Sequence, residues 1–203
     1  MQNKRSIIAT RYLVLLRTLI IPQSRATVAQ TWRMTYNRHI KIRKPLDPDA
    51  LNRLALHYVG RYATTCAKLA TYLRRKVRER GWADETSPDI DAIVANCAAL
   101  GYVDDRAFAQ TRAASLGRRG YGGRRIGAAL QAAGIARDLA AEVVPDDVAA
   151  LAAAEIYARR KRIGSFGPAT LDPKQRQRQF AAMLRAGHSF DLAKRFINAV
   201  SDD

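Results

Sequence analysis

Four glycines and four arginines surround one tyrosine in GRRGYGGRR, Gly117 to Arg125. Glycines at 117, 120, 122 and 123 strip side chains from a turn leading into a helix, so backbone amides and several guanidinium groups can approach one anion together. Tyr121 adds a flat surface for stacking or packing. The stretch is not a nucleotide loop. A dinucleotide fingerprint needs a third glycine where Arg125 stands and a strand before it, and a Walker loop ends in Lys-Ser or Lys-Thr. With Arg112 just upstream, Arg112, Arg118, Arg119, Arg124 and Arg125 form a cationic cluster with no acid inside it.

Two more clusters follow the same chemistry. Arg74, Arg75, Lys76, Arg78 and Arg80 sit in YLRRKVRER, around the polar side of a helix whose apolar side carries Leu69, Leu73 and Val77. Arg159, Arg160, Lys161 and Arg162 sit in YARRKRIG. A charge run is often no more than a solvated face, and for these two that reading stands level with a binding role.

No Ser/His/acid or Cys/His arrangement suggests catalysis, so no enzyme and no cofactor are expected. His39, His57 and His188 stand far apart, without Cys or carboxylate at the spacing of a tetrahedral metal site. Cys66 and Cys97 fall among apolar helical positions, where a thiol packs as a small hydrophobe, which fits a reducing cytoplasm.

The elements that hold these clusters read as helices throughout. The chain has 203 residues, 48 % hydrophobic and 7 % aromatic, with abundant alanine and no period-two alternation, which predicts an all-α fold. Asp47-Pro48, Ser87-Pro88 and Asp172-Pro173 each predict an N-cap followed by proline at the first helical position. Gly101, Gly134 and Gly187 follow apolar-periodic segments, as left-handed helix stops do. Asp104 and Asp105 read as caps at a favourable end of a helix dipole. Ile90, Ile93, Val94, Cys97 and Leu100, and again Leu192, Phe196, Ile197 and Val200, form core-facing stripes.

The net charge is +17, from 35 Lys and Arg against 18 Asp and Glu, which favours polyanionic partners and discourages self-association. Residues 1–46 hold ten of the basic residues and no acid. Within them, SIIATRYLVLLRTLIIP is interrupted by Arg11 and Arg17 and falls short of the roughly 20 apolar residues of a transmembrane helix. Its downstream flank is a poor cleavage site, so neither export nor membrane insertion is expected. Residues 1–46 are read as a basic N-terminal extension. Of the two readings of residues 1–33, a genuine amphipathic arm or an upstream stretch before a start at Met34, composition favours the second.

The remaining signals give about nine helices grouped in threes, an internal repeat. The pairs Leu69/Leu73, Ile126/Leu130 and Phe180/Leu184 share a four-residue spacing, each followed by a glycine turn. The expected modules are 47–101, 102–145 and 146–203, arranged as an elongated, curved chain.

The order LGYVDDRAFAQTRAASLGRRGYGGRRIGAALQAAGI resembles the core of the RecX family, bacterial regulators of the RecA recombinase. Gly101, Asp104, Asp105, Phe108, Ala109, Arg119, Gly120, Gly122, Ile126, Leu130, Gly134 and Ile135 carry the likeness. Gly123 departs from a frequent proline, and Lys68 stands near a position that is frequently acidic. The resemblance extends upstream through LNRLALHYVGRYATTCAKLATYLRRKVRERGW and, more faintly, downstream through FAAMLRAGHSFDLAKRFI.

The resemblance implies tandem three-helix modules lying in the groove of the RecA filament on single-stranded DNA. There the protein would inhibit filament extension, ATP hydrolysis and strand exchange without chemistry of its own. On that reading Phe108 anchors its helix in the module core, and the three basic clusters face RecA or DNA phosphates. A monomer is expected, since no apolar heptad seam is present. The rival reading is a direct DNA-binding protein of helix-turn-helix type, acting without RecA.

Overall fold

The computed structural model describes residues 44–168 and 172–199. The expectations for the N-terminal extension and for a start at Met34 therefore lie outside the described residues, apart from Lys44 to Leu46. Nine α-helices form among the described residues: α1 (Pro48–Val59), α2 (Cys66–Arg80), α3 (Ile90–Ala99), α4 (Asp105–Arg118), α5 (Gly123–Gln131), α6 (Arg137–Glu142), α7 (Asp147–Lys161), α8 (Pro173–Arg185) and α9 (Phe190–Asn198). No strand forms among them, only a single bridge between Leu46 and Trp82.

Local chemistry explains most helix starts. Asp47, Thr65, Asp104, Asp146, Asp172 and Ser189 each accept a hydrogen bond from the backbone N–H three residues on. Such a cap contributes about 1 kcal/mol. Pro48 and Pro173 open their helices as the sequence predicts. The third Pro-marked start is corrected: Asp89, not Ser87, caps α3 by accepting from Ala92 N–H at 2.9 Å, and the helix begins two residues past Pro88. An acid that can reach the first turn beyond the proline takes the cap from the serine before it.

The helices pack in threes around three cores. α1 to α3 enclose Leu51, Leu69, Leu73, Val94 and Cys97, α4 to α6 enclose Ala109, Leu116, Ile126 and Leu130, and α7 to α9 enclose Ala154, Tyr157, Met183 and Ala193. Burying each leucine contributes about 2 kcal/mol. Two expectations shift. In α8 the fully buried residue is Met183, while Phe180 and Leu184 only pack against the core from its edge. Phe108 is also only half-buried, and Ala109, Ala113 and Leu116 form the inner face of α4. Leu46, which the sequence leaves in the basic extension, is fully buried in the first core and donates its N–H to Gly81 O at 2.9 Å.

The second helices of the three groups meet end to end. α2, α5 and α8 each finish at a glycine in the left-handed region, Gly81, Gly134 and Gly187, with φ of 80°, 78° and 93° at equal sequence intervals. The turn at Gly134 meets the start of α2, where the Thr65 hydroxyl donates to Ala133 O at 2.6 Å. The turn at Gly187 meets the start of α5, where Gly122 N–H donates to Ala186 O at 3.0 Å and Arg124 N–H to Gly187 O at 3.2 Å. In both seams the positive end of one helix dipole faces the negative end of the next.

The two remaining ends of this series have local partners. The Gly81 turn is covered by the chain's own Leu46, with Arg80 holding Lys44 O at 2.9 Å. The start of α8 is capped by Asp172 and Pro173.

Candidate polyanion-binding surface

Most amides of the glycine turn between α4 and α5 are already engaged within the fold. Amides freed by glycine could cradle an anion, but Gly122 and Arg124 already give their N–H groups to the α8 turn, and Arg125 N–H is turned inward to Gly122 O at 3.1 Å. A Cβ on Gly122 would overlap Gly187 O, and one on Gly120, where φ is +75°, would stand 2.8 Å from Tyr157 N. At Gly120 and Gly122 a neighbouring backbone occupies the space of a side chain, whereas Gly117 faces open space and Gly123 faces Val144.

His188, just past that turn, fixes the arrangement. It is 1 % exposed and its Nε2 lies 3.2 Å from Gly120 O, so the neutral ring donates to that carbonyl. Its ring packs 5.6 Å from that of Tyr157. Burial pushes its pKa below the usual histidine value, partly offset by the bond to Gly120 O. Its Nδ1 is buried without a protein partner.

With the turn locked in this way, cations from two core groups converge on Tyr121. The guanidinium carbons of Arg125, Arg119 and Arg160 lie 4.4, 5.3 and 5.9 Å from the ring centre, and Arg160 also lies 5.3 Å from the Tyr157 ring. Arg119 and Arg125 come from either side of the turn, while Arg160 comes from α7. All three are exposed, and Tyr121 packs against both the second and the third core. Cation–π contact of this kind contributes about 0.5–1 kcal/mol at exposed sites and preorders guanidinium groups; Arg125 Nη1 also donates to Arg185 O at 3.5 Å, and the remaining N–H donors are left to water or an anion.

The other predicted residues divide. Arg118 and Arg124 line different grooves, one between α4 and α7 and one between the starts of α5, α7 and α9. Arg112 is exposed on α4. Among the described residues, none of Arg112, Arg118, Arg119, Arg124 and Arg125 pairs with a carboxylate. The first cluster is partly neutralised: Arg74 pairs with Asp91 at 2.8 Å, and Arg75 and Lys76 share Glu79 at 3.0 and 2.7 Å. The hydrogen bond from Lys76 holds the Glu79 carboxyl below its usual pKa. Arg78 remains exposed, and Arg80 is spent on Lys44 O. In the third cluster Arg159 pairs with Glu155 at 2.8 Å and covers Phe166, Lys161 closes α7, and Arg162 takes a left-handed φ of 52° as its C-cap.

Asp104 caps α4 through Ala107 N–H at 2.9 Å. Asp105 has a role the sequence does not disclose: it accepts from Cys66 N–H at 2.9 Å and so caps the start of α2 across the first seam. Lys68 stands 4.9 Å over the Phe108 ring in the same region. Cys66 and Cys97 are free thiols whose pKa values burial raises, which leaves them poor nucleophiles. Among the described residues no group of three metal-ligating side chains forms, and no helix is long and apolar enough to cross a membrane.

Comparison with known proteins places this architecture. A family model described as the second three-helix domain of RecX matches residues 104–144. The chain is 36 % identical over 169 residues to the regulatory protein RecX of Myxococcus xanthus, spanning 77 % of this chain and 88 % of that one. It is 26 % identical over 153 residues to the regulatory protein RecX of Agrobacterium fabrum, spanning 73 % of this chain and 82 % of the relative. Among solved structures, RecX from Lactobacillus salivarius shares the fold with a TM-score of 0.58 at 18 % identity, over 75 % of this chain and 95 % of that one.

Proposed function

Because the chain belongs to the RecX family of regulatory proteins, we propose that it binds the RecA filament on single-stranded DNA and restrains ATP hydrolysis, filament extension and strand exchange. The modules 47–101, 102–145 and 146–203 act as one body, and the surface around Tyr121 makes the main contact. The observation that carries this reading is the convergence of Arg119, Arg125 and Arg160 on one ring, with no carboxylate paired to them among the described residues. Unpaired, preordered guanidinium groups suit phosphate or a planar carboxylate. Paired clusters such as that around Glu79 have less charge to offer.

Such a surface acts without chemistry of its own: it occupies a site on the filament that RecA needs in order to move or grow. The test is the triple variant Arg119→Glu, Arg125→Glu, Arg160→Glu. It is expected to lose inhibition of single-stranded-DNA-dependent ATP hydrolysis by RecA while keeping the helical circular dichroism. Full inhibition by the folded variant would remove the surface from the mechanism. The first and third clusters enter as a weaker, graded contribution, read by the same assay with Arg74, Arg78 and Lys161 changed to Ala.

A further inference from the structure

The outer face shared by α4 and α7 is apolar and exposed. α7 buries Ala154 and Tyr157 on one side, yet its other side carries Val148, Ala152 and Ile156, with Val148 79 % and Ile156 43 % exposed. A helix that is apolar on both sides is normally buried on both. Between α7 and the exposed side of α4 lies an open groove of about 500 Å³, lined by Ala114 and Gly117 from α4, Ala152 and Ile156 from α7, and Val143 and Pro145 before it. A second hollow of about 520 Å³ shares Ala152 and Ile156 with the first and is lined also by Arg160. The two form one valley along α7.

Gly117 keeps that valley wide. It stands in the last turn of α4 without a positive φ, and a Cβ built on it would meet no atom within 4 Å. The fold therefore does not need glycine there, and glycine weakens the helix relative to alanine. What it does is let a second backbone come close.

The charges at the rim decide what fits. Glu142 is held by Arg106 and Glu155 by Arg159, whereas Arg118 and Arg160 pair with no carboxylate among the described residues. The uncompensated charge is positive, and at +17 a second copy of the chain would be repelled. Neither hollow is lined by an aromatic ring among the described residues, so stacked bases find no platform. A planar membrane does not enter a valley between two helices. From Pro145 to Arg160 the valley runs about 22 Å at 1.5 Å per residue, the length of about four helical turns. We propose that it docks an amphipathic helix of a protein partner, apolar on the face that meets Ala152 and Ile156 and acidic along its flanks. The valley is lined by none of Tyr121, Arg119 and Arg125, so its occupant adds to the contact proposed above and does not replace it.

The test uses the full chain without RecA and a labelled synthetic helix of about four turns, with Leu and Ala on one face and Glu on both flanks, read by fluorescence anisotropy. The wild type is expected to bind it about tenfold more tightly than a peptide of the same composition rearranged to lose the apolar face, the gain from seating a few apolar side chains. A Lys-flanked peptide with the same apolar face should not bind. Gly117→Leu fills the valley with a better helix former, so it should raise the melting temperature and abolish the preference for the patterned peptide. Arg118→Glu should weaken the Glu-flanked peptide and admit the Lys-flanked one. Equal binding of the patterned and rearranged peptides, a Gly117→Leu variant that keeps the preference, or an Arg118→Glu variant with unchanged charge selectivity would overturn the proposal. Since RecA is absent, failure here leaves the ATPase test untouched, and failure there leaves this one untouched.

Discussion

At the first seam a side chain makes the joint; at the second the backbone does. Thr65 reaches from the start of α2 to Ala133 O and also caps its own helix through Lys68 N–H, with Asp105 adding a bond to Cys66 N–H from α4. At the second seam Gly122 has no side chain to cap α5, and Ala186 O and Gly187 O take its place. The same task, satisfying the free N–H groups of a helix start, is thus solved once by side chains, Thr65 of the same module and Asp105 of its neighbour, and once by the neighbour's backbone. A joint made by side chains tolerates substitution one atom at a time. A joint made by backbone leaves no room for a Cβ, and the third module is correspondingly tied to the second.

This contrast sets the order of expected effects. Gly122→Ala drives a Cβ into Gly187 O and cannot be relieved by moving a side chain. It is expected to cost about 3 kcal/mol and to raise hydrogen exchange through α8 and α9. Loss spread evenly over all helices would deny the local joint.

Gly134→Ala meets Ala67 Cβ and also strains a φ of +78°, a cost of about 2 kcal/mol in denaturant unfolding. Adding Ala67→Gly should recover the steric part, whereas no single side-chain change should rescue Gly122→Ala. Thr65→Val keeps the shape and loses two hydrogen bonds, about 1.5 kcal/mol by the same measurement.

The smallest effect is the pH response of the second seam. His188 has a folded pKa below its unfolded value of about 6.5. The stability it confers is complete above that value, begins to fall below it, and is lost as pH drops through the lowered folded pKa. Thermal melting between pH 7 and pH 5 should therefore loosen α8 and α9 before α1 to α3, and His188→Gln should flatten that dependence.

What could be read from the sequence follows the range of each interaction. The starts at Asp47 and Asp172 and the stops at Gly101, Gly134 and Gly187 are local, and they stand where the caps and turn glycines put them. Ser87 was the misleading signal, because Asp89 competes for the same helix end. The glycines at 120 and 122 look the same in sequence whether they make room for a ligand or for another backbone, and only the fold reveals Tyr157 and Gly187 against them.

Charge shows the same limit. Arg75 and Glu79 are visible as a helical pair, but the partner of Arg74 is Asp91 in the next helix, and Arg160 reaches Tyr121 from another core group. The cationic clusters were legible as sequence runs; which of their members remain unpaired was not. Phe108, expected from the resemblance to anchor its helix, packs against the second core from its edge beneath Lys68, while small Ala109 takes the buried position. Close packing of α4 selects the smaller side chain.

We propose restraint of RecA on its filament and not competition for DNA. The most direct measurement is single-stranded-DNA-dependent ATP hydrolysis by RecA of the same bacterium, with the protein added below the RecA concentration and the DNA then raised to excess. A fall in rate that excess DNA does not rescue is the predicted result. A rate that is unaffected, or that recovers fully once DNA is in excess, would contradict the claim and assign the basic surface to plain DNA binding.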